Sequence, residues 1–186
     1  MLRLTAIIAV GLLNTPHLAA HELNDNRATM VLRDKTHLTI TMFINYAEAL
    51  HQALMPQRQL QEFLLMYSAM RPQQLQMELL RAQEKFQATT KVFVSGGLDA
   101  TLTNWVWPDL KQVQMYLQQR VMQAMVDPAA HAHLPPLEIH ADANTNQEIT
   151  SVKVQFPAEF QRVLVVAYKP TQVYVERKAI SGPIKF

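Results

Sequence analysis

The sequence predicts an α+β fold: antiparallel strands in two blocks, with helices inserted after the first and the second strand pair. Three observations carry that expectation. Leu38, Ile40, Met42 and Ile44 alternate with His37, Thr39 and Thr41, the period of two of a half-buried strand. Over residues 47–87, and again over 108–127, the apolar spacing changes to three and four, the period of a helix with one buried face. No strand–helix–strand alternation runs through the chain, which argues against a parallel sheet. With about eight strands in prospect, the expected architecture is an antiparallel, immunoglobulin-like β-sandwich with inserted helices, forming one domain over residues 21–186.

Each element has its own signature. Residues 27–33 and 37–46 form the first strand pair, turned by Asp34-Lys35-Thr36; Phe43 interrupts the polar face of the second strand and calls for a cover. Residues 47–54 favour a short helix. Leu60, Phe63, Leu64 and Tyr67, then Leu75, Leu79, Ala82 and Phe86, trace a helical pair or one kinked helix, with Pro56 suited to a first helical position and Pro72 interrupting the pattern. Glutamines 57, 59, 61, 73, 74, 76 and 83 keep helix propensity on the other faces without adding charge. Gly96-Gly97 accepts the positive φ of a tight turn between strands 89–95 and 98–104. Trp105 and Trp107 fall on one side of an extended segment and are expected to anchor the next helix. That helix starts at Pro108-Asp109 and buries Leu110, Val113, Leu117, Val121 and Met125. Residues 129–136 form a loop. Alternation returns in Leu137, Ile139 and Ala141 and in Val152, Val154 and Phe156. Val163 to Ala167 is continuously apolar, as in a central strand covered on both faces. Val173 and Val175 suggest another strand, and residues 184–186 an edge.

Composition excludes several function classes. The 186 residues include 17 basic and 15 acidic side chains, a balance that makes no electrostatic case for nucleic acid. There are 0 cysteines, so disulfides, thiolate nucleophiles and cysteine zinc sites are ruled out. Only 4 glycines occur, too few for a glycine-rich phosphate loop. No Gly-x-Ser-x-Gly elbow is present and no two carboxylates pair as acid and base, so an enzyme is not expected. The 10 methionines fall mostly on helices, where core packing competes with a copper-binding cluster.

Residues 1–20 read as a cleavable export signal. Arg3 supplies the positive start, Ala6 to Leu13 an apolar core too short to span a bilayer, and Leu18-Ala19-Ala20 the small residues that precede cleavage. A periplasmic or secreted location follows, with no membrane span in the mature chain. Cleavage after Ala20 places His21 at the new N-terminus, where an amine and an imidazole on one residue can chelate a metal. Copper is the candidate cofactor. The candidate ligands are His21, His51 on the short helix to which the first strand pair returns the chain, and the His131-Ala132-His133 pair, with His140 close by in sequence. His37 sits at the far end of the strand pair and is left out. The competing reading makes His21 a solvated terminal residue, His51 a surface histidine and the pair an ordinary polar loop.

The terminal His21 resembles the histidine brace of several exported copper proteins. The start His21-Glu22-Leu23, followed by a strand pair and an aromatic-rich close, resembles small uncharacterised periplasmic proteins of proteobacteria. It also looks loosely like the extracytoplasmic segment of HupE/UreJ-type metal permeases, which begins with a similar His-x-Leu. Those resemblances imply an exported binding protein: either a copper site built on His21, or a metal-free module whose glutamine- and methionine-rich helices meet an envelope protein. An oxidative copper enzyme is a third possibility, for which no substrate face is identified.

Overall fold

The computed structural model describes residues 26–126 and 134–170. The chain runs β1 (Asn26–Leu32), β2 (His37–Ile44), α1 (Tyr46–Leu54), α2 (Leu60–Ser68), α3 (Pro72–Thr89), β3 (Lys91–Val94), β4 (Leu98–Asp99), β5 (Thr101–Val106), α4 (Leu110–Val126), β6 (Leu137–Asn144), β7 (Val152–Gln155) and β8 (Val163–Tyr168). The strands make a five-stranded sheet, in the order β5-β6-β2-β1-β8, and a three-stranded sheet, β4-β3-β7. The fold is thus α+β, with two sheets and four helices among the described residues. None of those helices is long and apolar enough to cross a membrane.

Local chemistry explains most boundaries. The β1–β2 turn closes where the Thr36 amide donates to Asp34 Oδ1 at 2.8 Å. Alternation in β2 buries Leu38, Ile40, Met42 and Ile44, all at 3% exposure or less. Pro72 opens α3 at its first position, where the missing N–H has no intrahelical partner to lose. Asp109 caps α4, its Oδ1 accepting the Gln112 amide at 2.7 Å. Gly96 and Gly97 take φ of 79° and 86°.

One buried cluster joins the layers. Ala28, Met30, Ile40, Ile44 and Ile139 from the large sheet, Val92 and Val94 from the small one, and Leu50, Phe63, Leu79, Phe86 and Leu117 from the helices all belong to it. Phe160, on a short 3-10 turn before β8, is buried and packs tilted on Phe86 at 4.9 Å between centroids. Trp105 and Trp107 stack at 5.3 Å and 9°, both against this core, as anchors of the strand that leads into α4.

Five sequence expectations need correction. Strand 98–104 does not run as one hairpin arm. Leu98–Asp99 pairs with β3, the chain crosses at the buried Ala100, and Thr101–Val106 joins β6 in the other sheet. The sheet is not wholly antiparallel, because β8 pairs with β1 in parallel. The two strands lie near opposite ends of the described chain, so everything between them serves as the long crossover that a parallel pair requires. Val163–Ala167 is not a central strand: β8 is the edge of the large sheet among the described residues, and Leu164, Val165, Val166 and Tyr168 are 37–53% exposed. Helical methionines do not fill the core. Met66, Met77, Met115, Met122 and Met125 are exposed because leucine, phenylalanine, tyrosine and valine occupy the buried stripes, while the core methionines are Met30 and Met42 on strands. Pro56 lies in the turn before α2, which begins at Leu60. Residues 1–20, 173–175 and 184–186 lie outside the described residues.

Candidate functional site

His51 sits on α1, in the stripe of Tyr46, Ala47 and Leu50 that faces the core. It is 7% exposed, and its ring tilts against Phe63 of α2 at 5.5 Å. Nε2 donates to the Arg58 carbonyl at 2.8 Å, and Nδ1 lies 3.5 Å from the Gln52 amide nitrogen. A carbonyl only accepts, so the proton is on Nε2. The imidazole ties α1 to the turn before α2; it is not the surface histidine of the competing reading. His21, His131 and His133 lie outside the described residues. Among the described residues no group of three or more His, Cys, Asp or Glu side chains is placed to hold a metal ion.

The solvent face of the large sheet carries a polar strip that sequence reading did not assemble. Register places Thr39 beside Asp142, Thr41 beside His140 and Phe43 beside Glu138. Asp142 accepts from Asn104 Nδ2 at 2.9 Å and lies 3.1 Å from His37 Nε2. These contacts, the Asn104 amide first, hold its carboxyl below the usual aspartate range. His140 reaches Thr41 through Nδ1 at 3.0 Å and Glu138 through Nε2 at 2.6 Å. Asn104 reaches Asp142 from a positive-φ position (φ 52°) where the β5–β6 register shifts, a contact no sequence period announces. The cover expected for Phe43 is Arg27, whose guanidinium lies 4.4 Å over the ring.

Between α1 and α4, Arg120 pairs with Glu48, with side chains 13% and 32% exposed. Tyr116 stands close by. Burial, and then the Glu48 charge, push its phenol up to about 12. The ion pair lies inside the helical layer, and Tyr116 also lines a groove of about 400 Å³ with Asp109, Met115, Gln119 and Leu137.

Two apolar features are exposed: the end of α4, where Met122, Met125 and Val126 are 67–87% exposed, and the continuous apolar strand β8, Val163-Leu-Val-Val-Ala-Tyr168. Direct pairing with β1 puts Val163, Val165 and Ala167 on the face of Asn26, Ala28 and Met30, and Leu164, Val166 and Tyr168 on the solvent face beside Arg27, Thr29 and Val31. Among the described residues neither face is fully covered: Val165 on the inner side is 40% exposed and Val166 on the outer side 37%. A groove of about 510 Å³ borders the strand, floored by Met30, Leu32, Leu38, Ile149 and Ala167 and rimmed by Glu148, Ser151, Tyr168 and Lys169. At the other end of β8, Asn26 fixes the frame: its Nδ2 donates to the Phe160 carbonyl at 2.6 Å and its Oδ1 accepts the Asn45 amide at 2.7 Å.

No family model, curated protein or solved structure matches this chain.

Proposed function

We propose that this chain is an exported, periplasmic or secreted interaction module that holds a polypeptide partner along β8 and its groove. We read its two sheets as an immunoglobulin-like sandwich with inserted helices, a reading supported by the single cluster to which both sheets contribute. Kinship with small periplasmic proteins of proteobacteria belongs to the same proposal and rests on the His21-Glu22-Leu23 start.

The observation that carries the functional reading is the exposure of four large side chains on one six-residue apolar strand. Edge strands that stay single are normally blunted by lysine, proline, a bulge or an inward charge. Residues 163–168 carry none of these, and Lys169-Pro170 follows only after the strand has ended. Contiguous apolar exposure of this kind marks an interaction surface. Binding copper through His21 is the competing proposal. It draws its second nitrogen from His51 or the 131/133 pair, and at His51 the ring is already committed to Arg58.

The test is in-cell photocrosslinking from residue 166, with residue 76 on the exposed side of α3 as control. One discrete adduct from position 166 and none from position 76 is the expected result. Equal labelling at both positions, or none at 166, removes the reading.

A further inference from the structure

At the end of the large sheet opposite β8, β5 and the last turns of α3 border a groove of about 520 Å³. Leu102 and Trp105 of β5 both line it. Three residues apart, they would face opposite sides of a regular strand. They share one side because β5 is bulged: Thr103 pairs with Asp142 and Val106 with His140, so three steps on β5 match two on β6. Asn104 takes φ of 52° at this point, and its bond to Asp142 anchors the bend. A bulge gives up regular pairing to re-aim a side chain, and the side chain re-aimed here is Trp105. The near-parallel ring of Trp107 backs it at 5.3 Å and rests in turn on the buried Phe86 at 6.2 Å. The Trp105 indole is therefore a supported platform at the groove.

Four exposed polar side chains surround it: Glu84 and Gln87 on α3, Lys91 on β3 and Asp99 on β4. Among the described residues none of the four has a side-chain hydrogen bond or an ion pair. Their chemistry selects the occupant. A cation would meet Lys91, an anion would meet Glu84 and Asp99, and an acyl chain would strip water from all four. A pyranose ring suits the whole set. Its C–H face is apolar and lies flat on an indole. Its hydroxyls both donate and accept, so they bond carboxylate, ammonium and amide alike. The volume falls within the range of small-molecule sites.

We propose that this groove binds an uncharged, β-linked glycan, with one ring stacked on Trp105 and its hydroxyls held by Glu84, Gln87, Lys91 and Asp99. Equatorial hydroxyls leave the flattest C–H face and suit the platform best. The site stands apart from the β8 surface and does not depend on it.

The probes are cellotetraose and chitotetraose, with spermidine and tetragalacturonate as charged comparators, each titrated calorimetrically into the full chain. Trp105 and Trp107 are the 2 tryptophans of the sequence, so indole emission reports the same site. At least one uncharged tetrasaccharide binds with a dissociation constant of about 1 mM or tighter and shifts that emission, and the charged comparators bind more weakly. Trp105→Ala lowers the affinity about tenfold. Asp99→Ala and Glu84→Ala each lower it about fivefold, and their exposed positions keep the test open where Trp105→Ala disturbs the core. No heat and no emission change from either tetrasaccharide at ~10 mM overturns the proposal. Binding that all three substitutions leave unchanged places the sugar elsewhere and also overturns it. Tighter binding of spermidine or tetragalacturonate makes the occupant a charged ligand and overturns it as well.

Discussion

Replacing His51 by alanine separates a framework histidine from a metal ligand. The change removes a buried ring from its contact with Phe63 and breaks the 2.8 Å bond to the Arg58 carbonyl. Lost packing, with incomplete collapse around the vacated space, costs about 1–2 kcal/mol for a group of this size. The hydrogen bond adds about 1 kcal/mol, and the better helix propensity of alanine returns roughly 0.5 kcal/mol. The net loss is about 2 kcal/mol, which lowers the midpoint of thermal unfolding by about 4–8 °C for a chain of this length. His51→Phe keeps a ring against Phe63 and loses only the bond, so it falls by about half as much. Scanning calorimetry with and without Cu(II) provides the readout. A ligand role would let copper stabilise the parent chain and not the alanine variant, because an ion held only by the native state adds RT ln(1 + [Cu]/Kd) to its stability. A destabilisation under about 0.5 kcal/mol, the ordinary range of surface changes, would refute the framework role.

Three further outcomes follow from the contacts. Asn26→Leu removes its bonds to Phe160 and Asn45 and leaves the buried Phe160 carbonyl without the Asn26 amide, so urea unfolding should show a loss of about 1–3 kcal/mol. Glu48→Leu alone leaves Arg120 without its carboxylate in a mostly buried setting and costs about 2–3 kcal/mol, whereas the double variant with Arg120→Leu recovers part of that loss in the same melts. Asp142 is held below its ordinary value, so its contribution is present above the unfolded-state value of about 3.9 and is lost as pH falls through the lower folded value. Asp142→Asn therefore flattens the acid limb of a stability–pH curve and shifts neutral-pH stability by less than about 1 kcal/mol.

Much of this architecture is legible wherever a residue's local period decides its environment. The β2 alternation, Pro72 at the start of α3, the Asp109 cap and the paired glycines depend on neighbours a few positions away. The miss at β8 has a clear cause: a run such as Val-Leu-Val-Val-Ala is equally consistent with a strand buried on both faces and with one exposed on both, since composition does not record what lies opposite. Asn26 gives no local sign of burial, because its burial depends on Phe160, 134 residues away. The burial of His51 was within reach of pattern reading, since it follows Ala47 by one helical turn and sits beside Leu50 in the apolar stripe. The Asp142 strip was not, because cross-strand register and the turn of the backbone at Asn104 create it.

The parallel union of β1 and β8 has a consequence for how the molecule assembles. The strand completing that side of the large sheet is the last among those described to be synthesised, so one backbone edge of β1 waits for nearly the whole chain. Its closure is a long-range step, entropically slow next to the β1–β2 hairpin. Until it occurs, two apolar ribbons from opposite ends of one polypeptide are open to capture by other molecules. A holding factor that shields either ribbon during that interval would raise the yield of native protein without altering its final stability.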